Sequence, residues 1–250
     1  MKALLLICHG TRLRKGQKEA EEFVNQCLDS VSVPIKEVCF LELAEPSISQ
    51  GFETCIQKGA TSIFVVPVFL LSANHVKIDI PKILGHLMNQ YPETEVTFGR
   101  ELGVHDALSH LLWEKIRNQV ALLNKNSNVL LVGRGSSDPD VKRDLTQIAS
   151  NFQHHYGIPN IQTCFLTGSS PSFEEALWSC KDSYDQVVIV PYLLFSGLLI
   201  NGMKLTVNRY KEDTQQDVIL CETLGYHPIL REVLLTRINE TLGTRELEYL

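Results

Sequence analysis

The sequence has no C-x-x-C pair, no uninterrupted apolar run long enough to cross a bilayer and no excess of positive charge. Each absence removes a class of function. Its seven cysteines, at 8, 27, 39, 55, 164, 180 and 221, are odd in number and scattered, which argues against a disulfide framework and against zinc or iron–sulfur sites. They read instead as small buried thiols in a reducing compartment. The longest apolar stretch, residues 187–200, is broken by Pro191, Ser196 and Gly197 and falls short of the roughly 20 residues of a membrane span. The apolar start at 3–8 is too short for a secretory signal, so a cytoplasmic protein is expected. With 23 Lys and Arg against 29 Asp and Glu, the net charge of −6 argues against a general nucleic-acid binder. What remains is an ordinary globular composition of 250 residues, 44% hydrophobic and 21% charged, enough for one large domain or two small ones.

The chain repeats itself. Leu4-Leu5-Leu6-Ile7-Cys8-His9-Gly10-Thr11 aligns with Val129-Leu130-Leu131-Val132-Gly133-Arg134-Gly135-Ser136, and the segment Cys39 to Ser47 aligns with Cys164 to Ser172 at the same offset of 125 (134 minus 9, 164 minus 39). Val65-Val66-Pro67 through Ser72 then matches Ile189-Val190-Pro191 through Ser196, and Leu102-Gly103-Val104-His105 matches Leu224-Gly225-Tyr226-His227. Four blocks in the same order indicate a duplication.

Short β-branched or apolar runs predict strands at 3–8, 36–41, 62–68 and 95–99, and again at 128–133, 161–166, 186–192 and 217–221. Helical patterns lie between them. In residues 17–28, for example, Ala20, Phe23, Val24 and Cys27 form one apolar stripe. Helix starts are expected at Glu45-Pro46 and at Asp138-Pro139, with Asp138 as cap and Pro139 in the first helical position. The polar segment 123–128 reads as a linker, dividing the chain into residues 1–124 and 125–250. The expected fold class is α/β: two duplicated domains, each a small, mostly parallel sheet with helices on both faces. Ligands in such sheets bind at the carboxyl ends of strands, where His9, Glu42, Glu45 and His75 fall in three different connections.

The duplication supplies an internal control. His9 stands opposite Arg134, Glu42 opposite Thr167, Glu45 opposite Ser170 and His75 opposite Leu199, so the imidazoles and carboxylates belong to the first half alone. His105 and His227 are shared, and a structural role at a helix start or in the core is expected for them. Two neutral imidazoles and a carboxylate suit Fe, Co, Ni or Zn and offer too few oxygens for calcium or magnesium. Glu45 has two readings, a site carboxylate or a helix-entry carboxylate favoured by the macrodipole.

The loop 133–138 lacks the third glycine of G-x-G-x-x-G and the G-K-[ST] of a P-loop, which argues against dinucleotide binding. Arg134, Ser136 and Ser137 instead suit anion recognition facing the first half across a cleft, with Arg12, Lys77, Lys142 and Arg143 as further candidates. A metal set on one wall and anion-binding groups on the other would fit a large polyanionic ligand.

The segments His9-Gly10-Thr11-Arg12, Phe40 through Pro46, Pro67 through Pro81 and Val132 through Asp140 closely resemble the sirohydrochlorin chelatases, and the resemblance covers essentially the whole chain. It implies two chelatase-like domains and an ATP-independent lyase that inserts a divalent metal into a tetrapyrrole with no cofactor beyond that metal. The cobalt-inserting members often carry a histidine-rich segment and a C-terminal cysteine motif. Both are absent here, which favours Fe2+ over Co2+ or Ni2+. The family's metal-site histidines map onto His9 and His75 and its carboxylate onto Glu42. Half-length members work as dimers, so this fused chain is expected to be a monomer, with sirohydrochlorin and the metal ion as its partners and no nucleic acid or membrane. Two rivals have distinct signatures. A histidine phosphohydrolase would place arginine directly before the histidine, where this chain has Cys8. A metal or tetrapyrrole carrier would use the same pocket without turnover.

Overall fold

The computed structural model describes residues 1–243, which alternate strand and helix. In chain order they form β1 (Lys2–Cys8), α1 (Arg14–Leu28), β2 (Ile35–Phe40), α2 (Ile48–Gln57), β3 (Ser62–Pro67), a π-helical turn (His75–Asp79), α3 (Ile80–Gln90), β4 (Glu95–Phe98) and α4 (Ala107–Arg117). The series then repeats as β5 (Ser127–Gly133), α5 (Pro139–Tyr156), β6 (Ile161–Phe165), α6 (Phe173–Ser179), β7 (Gln186–Tyr192), α7 (Leu198–Thr214), β8 (Asp217–Leu220) and α8 (Pro228–Leu242). Every strand end lies within one residue of its expected position.

All strand pairs are parallel, in the orders β2-β1-β3-β4 and β6-β5-β7-β8. β1 explains why its sequence shows no alternation. Ala3, Leu5 and Ile7 face the core lined by Phe52, Cys55, Ile80 and Leu84, while Leu4 and Leu6 point to the opposite face and are just as buried, all five at 0% exposure. Strand order reverses where β1 lies between β2 and β3, the place at which an open parallel sheet forms a crevice beyond its carboxyl ends.

Two expectations need correction. The helix after Glu45-Pro46 begins later, at Ile48, because the Pro46 carbonyl accepts the Phe40 N–H at 2.8 Å and Ser47 caps the helix in a capping box with Gln50. Asp138 and Pro139 do start α5 as expected. The linker ends earlier than 128, since Ser127 and Asn128 open β5 and are buried. Ser127 Oγ donates to Gln186 Oε1 at 2.8 Å and Asn128 Nδ2 to Cys180 Sγ at 3.2 Å.

The chain folds as two compact units. Among the described residues, one contains Met1–Gly103 and the chain from Arg231 to Gly243; the other runs from Val104 to Leu230. α4 thus packs in the second unit, where Trp113 stacks on Tyr156 with centroids 5.0 Å apart. α8 packs in the first, where the buried Arg237 guanidinium donates to the Leu102 carbonyl at 2.7 Å and the Glu101 carbonyl at 3.0 Å. A polar turn marks where the chain bends, whereas the unit boundary depends on which core takes each helix.

Candidate metal centre

His9 directly follows β1, and the backbone ladder continues past the strand ends to fix its neighbour. Leu41 N–H donates to the Cys8 carbonyl at 2.8 Å and Glu42 N–H to the His9 carbonyl at 3.1 Å. This places the Glu42 carboxylate 3.6 Å from His9 Nδ1. The approach requires Gly10. At φ +94°, a Cβ there would lie 1.7 Å from the Glu42 carbonyl oxygen.

His75 comes from the connection after β3 and opens the π-helical turn, in which Ile80 N–H donates to the His75 carbonyl five residues back. Its ring meets that of His9 edge to face, with centroids 5.1 Å apart. His9, Glu42 and His75 bring one ligand atom each within 4.8 Å of one another, and a first-row ion bound at about 2.0–2.2 Å would draw them to about 3.4–3.7 Å apart. The two imidazoles are 28% and 30% exposed and Glu42 44%, so an ion could reach them from solvent.

The second half builds the same scaffold without the chemistry. Thr167 N–H donates to the Arg134 carbonyl at 2.9 Å, Phe165 N–H to the Pro171 carbonyl at 3.0 Å, and Gly135 at φ +88° sits 1.8 Å, measured from its would-be Cβ, from the Thr167 oxygen. Where β3 leads into a π-helical turn with His75, β7 leads into the regular helix α7.

Glu45 lies apart from the cluster. Its carboxylate accepts the Ser47 N–H at 3.0 Å, the helix-entry role. His105 and His227 start helices as expected, their Nδ1 atoms accepting the N–H of Ala107 at 3.2 Å and of Ile229 at 3.3 Å. Ser136 Oγ accepts the Asp138 N–H at 3.1 Å, as Thr11 Oγ1 accepts that of Leu13 at 3.2 Å, so this hydroxyl shapes the loop in both halves. Ser137, Arg134, Arg12 and Lys77 are exposed, and Arg143 is engaged with Asp140 and Asp144. All seven cysteines are free and buried. Burial pushes the Cys8 thiol up to about 12, which keeps it neutral.

Sequence reasoning missed Asp79. Its Oδ2 lies 2.8 Å from His75 Nδ1, so Nδ1–H donates to it and Nε2 keeps the lone pair for a metal or a proton. The signal was present: counted from the Ser72/Ser196 match, Asp79 stands opposite Met203. Asp79→Ala is expected to weaken Co2+ binding by about 10–100-fold, read by titration of the visible absorption band, with Asp79→Asn losing less because it keeps a hydrogen-bond acceptor.

The CbiX family model matches residues 3–119 and 128–241, one copy on each half. The chain is 43% identical to a sirohydrochlorin ferrochelatase of Priestia megaterium, over all of this chain and 94% of that protein. Among solved structures it superposes on SirB from Bacillus subtilis with Fe3+ at a TM-score of 0.87 and 38% identity, covering 96% of this chain and 95% of that one. It also superposes on the sirohydrochlorin chelatase SirB from Bacillus subtilis subspecies spizizenii in complex with cobalt, at a TM-score of 0.86 and 36% identity, covering 99% and 98%. With its two matched copies, its paired parallel sheets and its full-length likeness to these proteins, the chain belongs to the CbiX family of sirohydrochlorin chelatases.

Proposed function

We propose that this chain inserts Fe2+ into sirohydrochlorin, forming siroheme and releasing the two pyrrole N–H protons. The observation that carries the reading is the convergence of His9, Glu42 and His75 in one half, while the other holds Arg134, Thr167 and Leu199 on the same backbone. Metal insertion needs a partly dehydrated ion held near the ring face and acceptors for two protons. Neutral imidazole serves both needs, and Glu42 offsets the charge of the incoming cation or relays a proton. The ion is substrate, passed from the histidines to the ring nitrogens, and no further cofactor takes part.

The ring's peripheral carboxylates call for cationic and hydroxyl partners, a role we assign to Arg134, Ser136, Ser137, Arg12 and Lys77. Arg134→Ala is expected to weaken sirohydrochlorin binding about tenfold while leaving Co2+ affinity unchanged, since guanidinium recognises carboxylates and does not ligate cations. Equal loss of both affinities would remove that assignment. We take the working form to be a cytoplasmic monomer; among the described residues no helix is long and apolar enough to cross a membrane.

The decisive experiment mixes catalytic amounts of protein with excess Fe2+ and sirohydrochlorin without oxygen and follows absorbance. Multiple turnovers are expected. A carrier would stop at one equivalent of metallated ring per protein. Cobalt insertion is the second reading, supported by the cobalt complex of SirB, and initial rates with Fe2+, Co2+ and Ni2+ under identical conditions separate the metals.

A further inference from the structure

Leu43, the residue after Glu42, has a backbone φ of 61° and is 48% exposed. A lone exposed leucine needs no explanation, but a leucine in the left-handed region does, because its Cβ crowds the following carbonyl there. Among the described residues only Asp182 and Gln215 are the other non-glycines with positive φ. Both are polar, and Gln215 is a helix C-cap, an ordinary place for this conformation.

The twin loop gives the comparison. Opposite Leu43 stands Gly168, at φ +64°. A Cβ on Gly168 would come within 3.1 Å of the Ser136 backbone, so this loop favours glycine on both conformational and steric grounds. The first half carries a leucine in the same place. Core packing does not account for it: Leu41 packs against the first core, but the cluster does not include Leu43.

We propose that Leu43 is a substrate-contacting residue, an apolar lip on which the flat face of the tetrapyrrole macrocycle rests while its nitrogens face the histidine pair. The inference rests on the proposed function for the identity of the ring. The chemistry fits the position. A ring held near Glu42, His9 and His75 presents its periphery of carboxylates outward and an apolar face inward, and an exposed aliphatic side chain beside the ligands covers that face without competing for metal.

Leu43→Gly and Leu43→Asn test it, glycine being the residue of the twin loop and asparagine a polar side chain that tolerates the left-handed conformation. Relief of the backbone should raise the Tm of Leu43→Gly by about 2–4 °C. The same variant should bind metal-free sirohydrochlorin about tenfold more weakly and lose a similar factor in kcat/KM, with Co2+ affinity unchanged. Leu43→Asn should show the same loss of ring affinity, and Leu43→Met should restore most of it. A fall in Tm for Leu43→Gly would assign the side chain to the fold, and unchanged ring affinity in both variants would remove the contact; either result overturns the proposal. Ring binding by wild-type protein without turnover would refute the insertion reading alone, because the binding ratio still judges Leu43. A wild-type protein that does not bind the ring overturns both.

Discussion

His9→Ala and His75→Ala are each expected to lower the rate of metal insertion at least about 10²-fold, the low end for removal of a positioned acid–base group. Both side chains are part-exposed and lie beyond strand ends, so their removal should leave unfolding within roughly 0.5 kcal/mol of wild type. The two losses should not multiply. The rings meet at 5.1 Å and would hold one ion together, so the double variant should fall little below the poorer single one. Anaerobic initial rates at saturating sirohydrochlorin measure this, and His227→Ala serves as the contrasting case. That imidazole accepts the Ile229 N–H and lies 2.8 Å from Glu114, so its loss should reduce Tm and spare the rate constant. Near-wild-type turnover in either folded His9 or His75 variant would take that residue out of the site.

Gly10→Ala is the second large effect, and its twin makes it interpretable. The new methyl would overlap the Glu42 carbonyl oxygen at 1.7 Å in a backbone conformation that L-residues avoid, so the loop must move and carry Glu42 away from His9. Gly135→Ala meets the Thr167 carbonyl at 1.8 Å in the equivalent loop. Both should be destabilised by about 1–3 kcal/mol, the range of strained backbone sites. Only Gly10→Ala should also lose Co2+ binding. Thermal unfolding alongside Co2+ titration tests the pair, and metal binding retained in Gly10→Ala would mean that Glu42 needs no fixed place beside His9.

The sheets were legible because their strands are buried on both faces and therefore appear as continuous apolar runs, as Ala3 to Ile7 do. The clustering of His9, Glu42 and His75 was legible because duplication left two copies of one loop with different side chains, so that these three stood out against Arg134, Thr167 and Leu199. Asp79 was hidden by its setting. Its partnership with His75 depends on the π-helical turn, and no periodicity in the sequence announces a single turn of that kind. Ser127 and Asn128 read as a linker because they are polar, yet Gln186 and Cys180 satisfy them inside the structure. Glu45 was ambiguous between ligand and helix entry until the Ser47 N–H settled its place. The destination of α4 and α8 was illegible for a different reason: an amphipathic stripe says that a helix is buried, not against which of two similar sheets.

The allocation of α8 to the first unit sets an order of events during synthesis. The second unit is one uninterrupted stretch, Val104–Leu230, and every residue it needs has left the ribosome by the time Leu230 emerges. The first unit begins with Met1 yet waits for Arg231 onward, among them Arg237, whose guanidinium satisfies the carbonyls of Glu101 and Leu102. Although translated first, the sheet that bears His9 and His75 is therefore completed last, so a nascent chain halted near residue 230 would display the histidines on an unfinished core and the loop of Arg134 on a finished one.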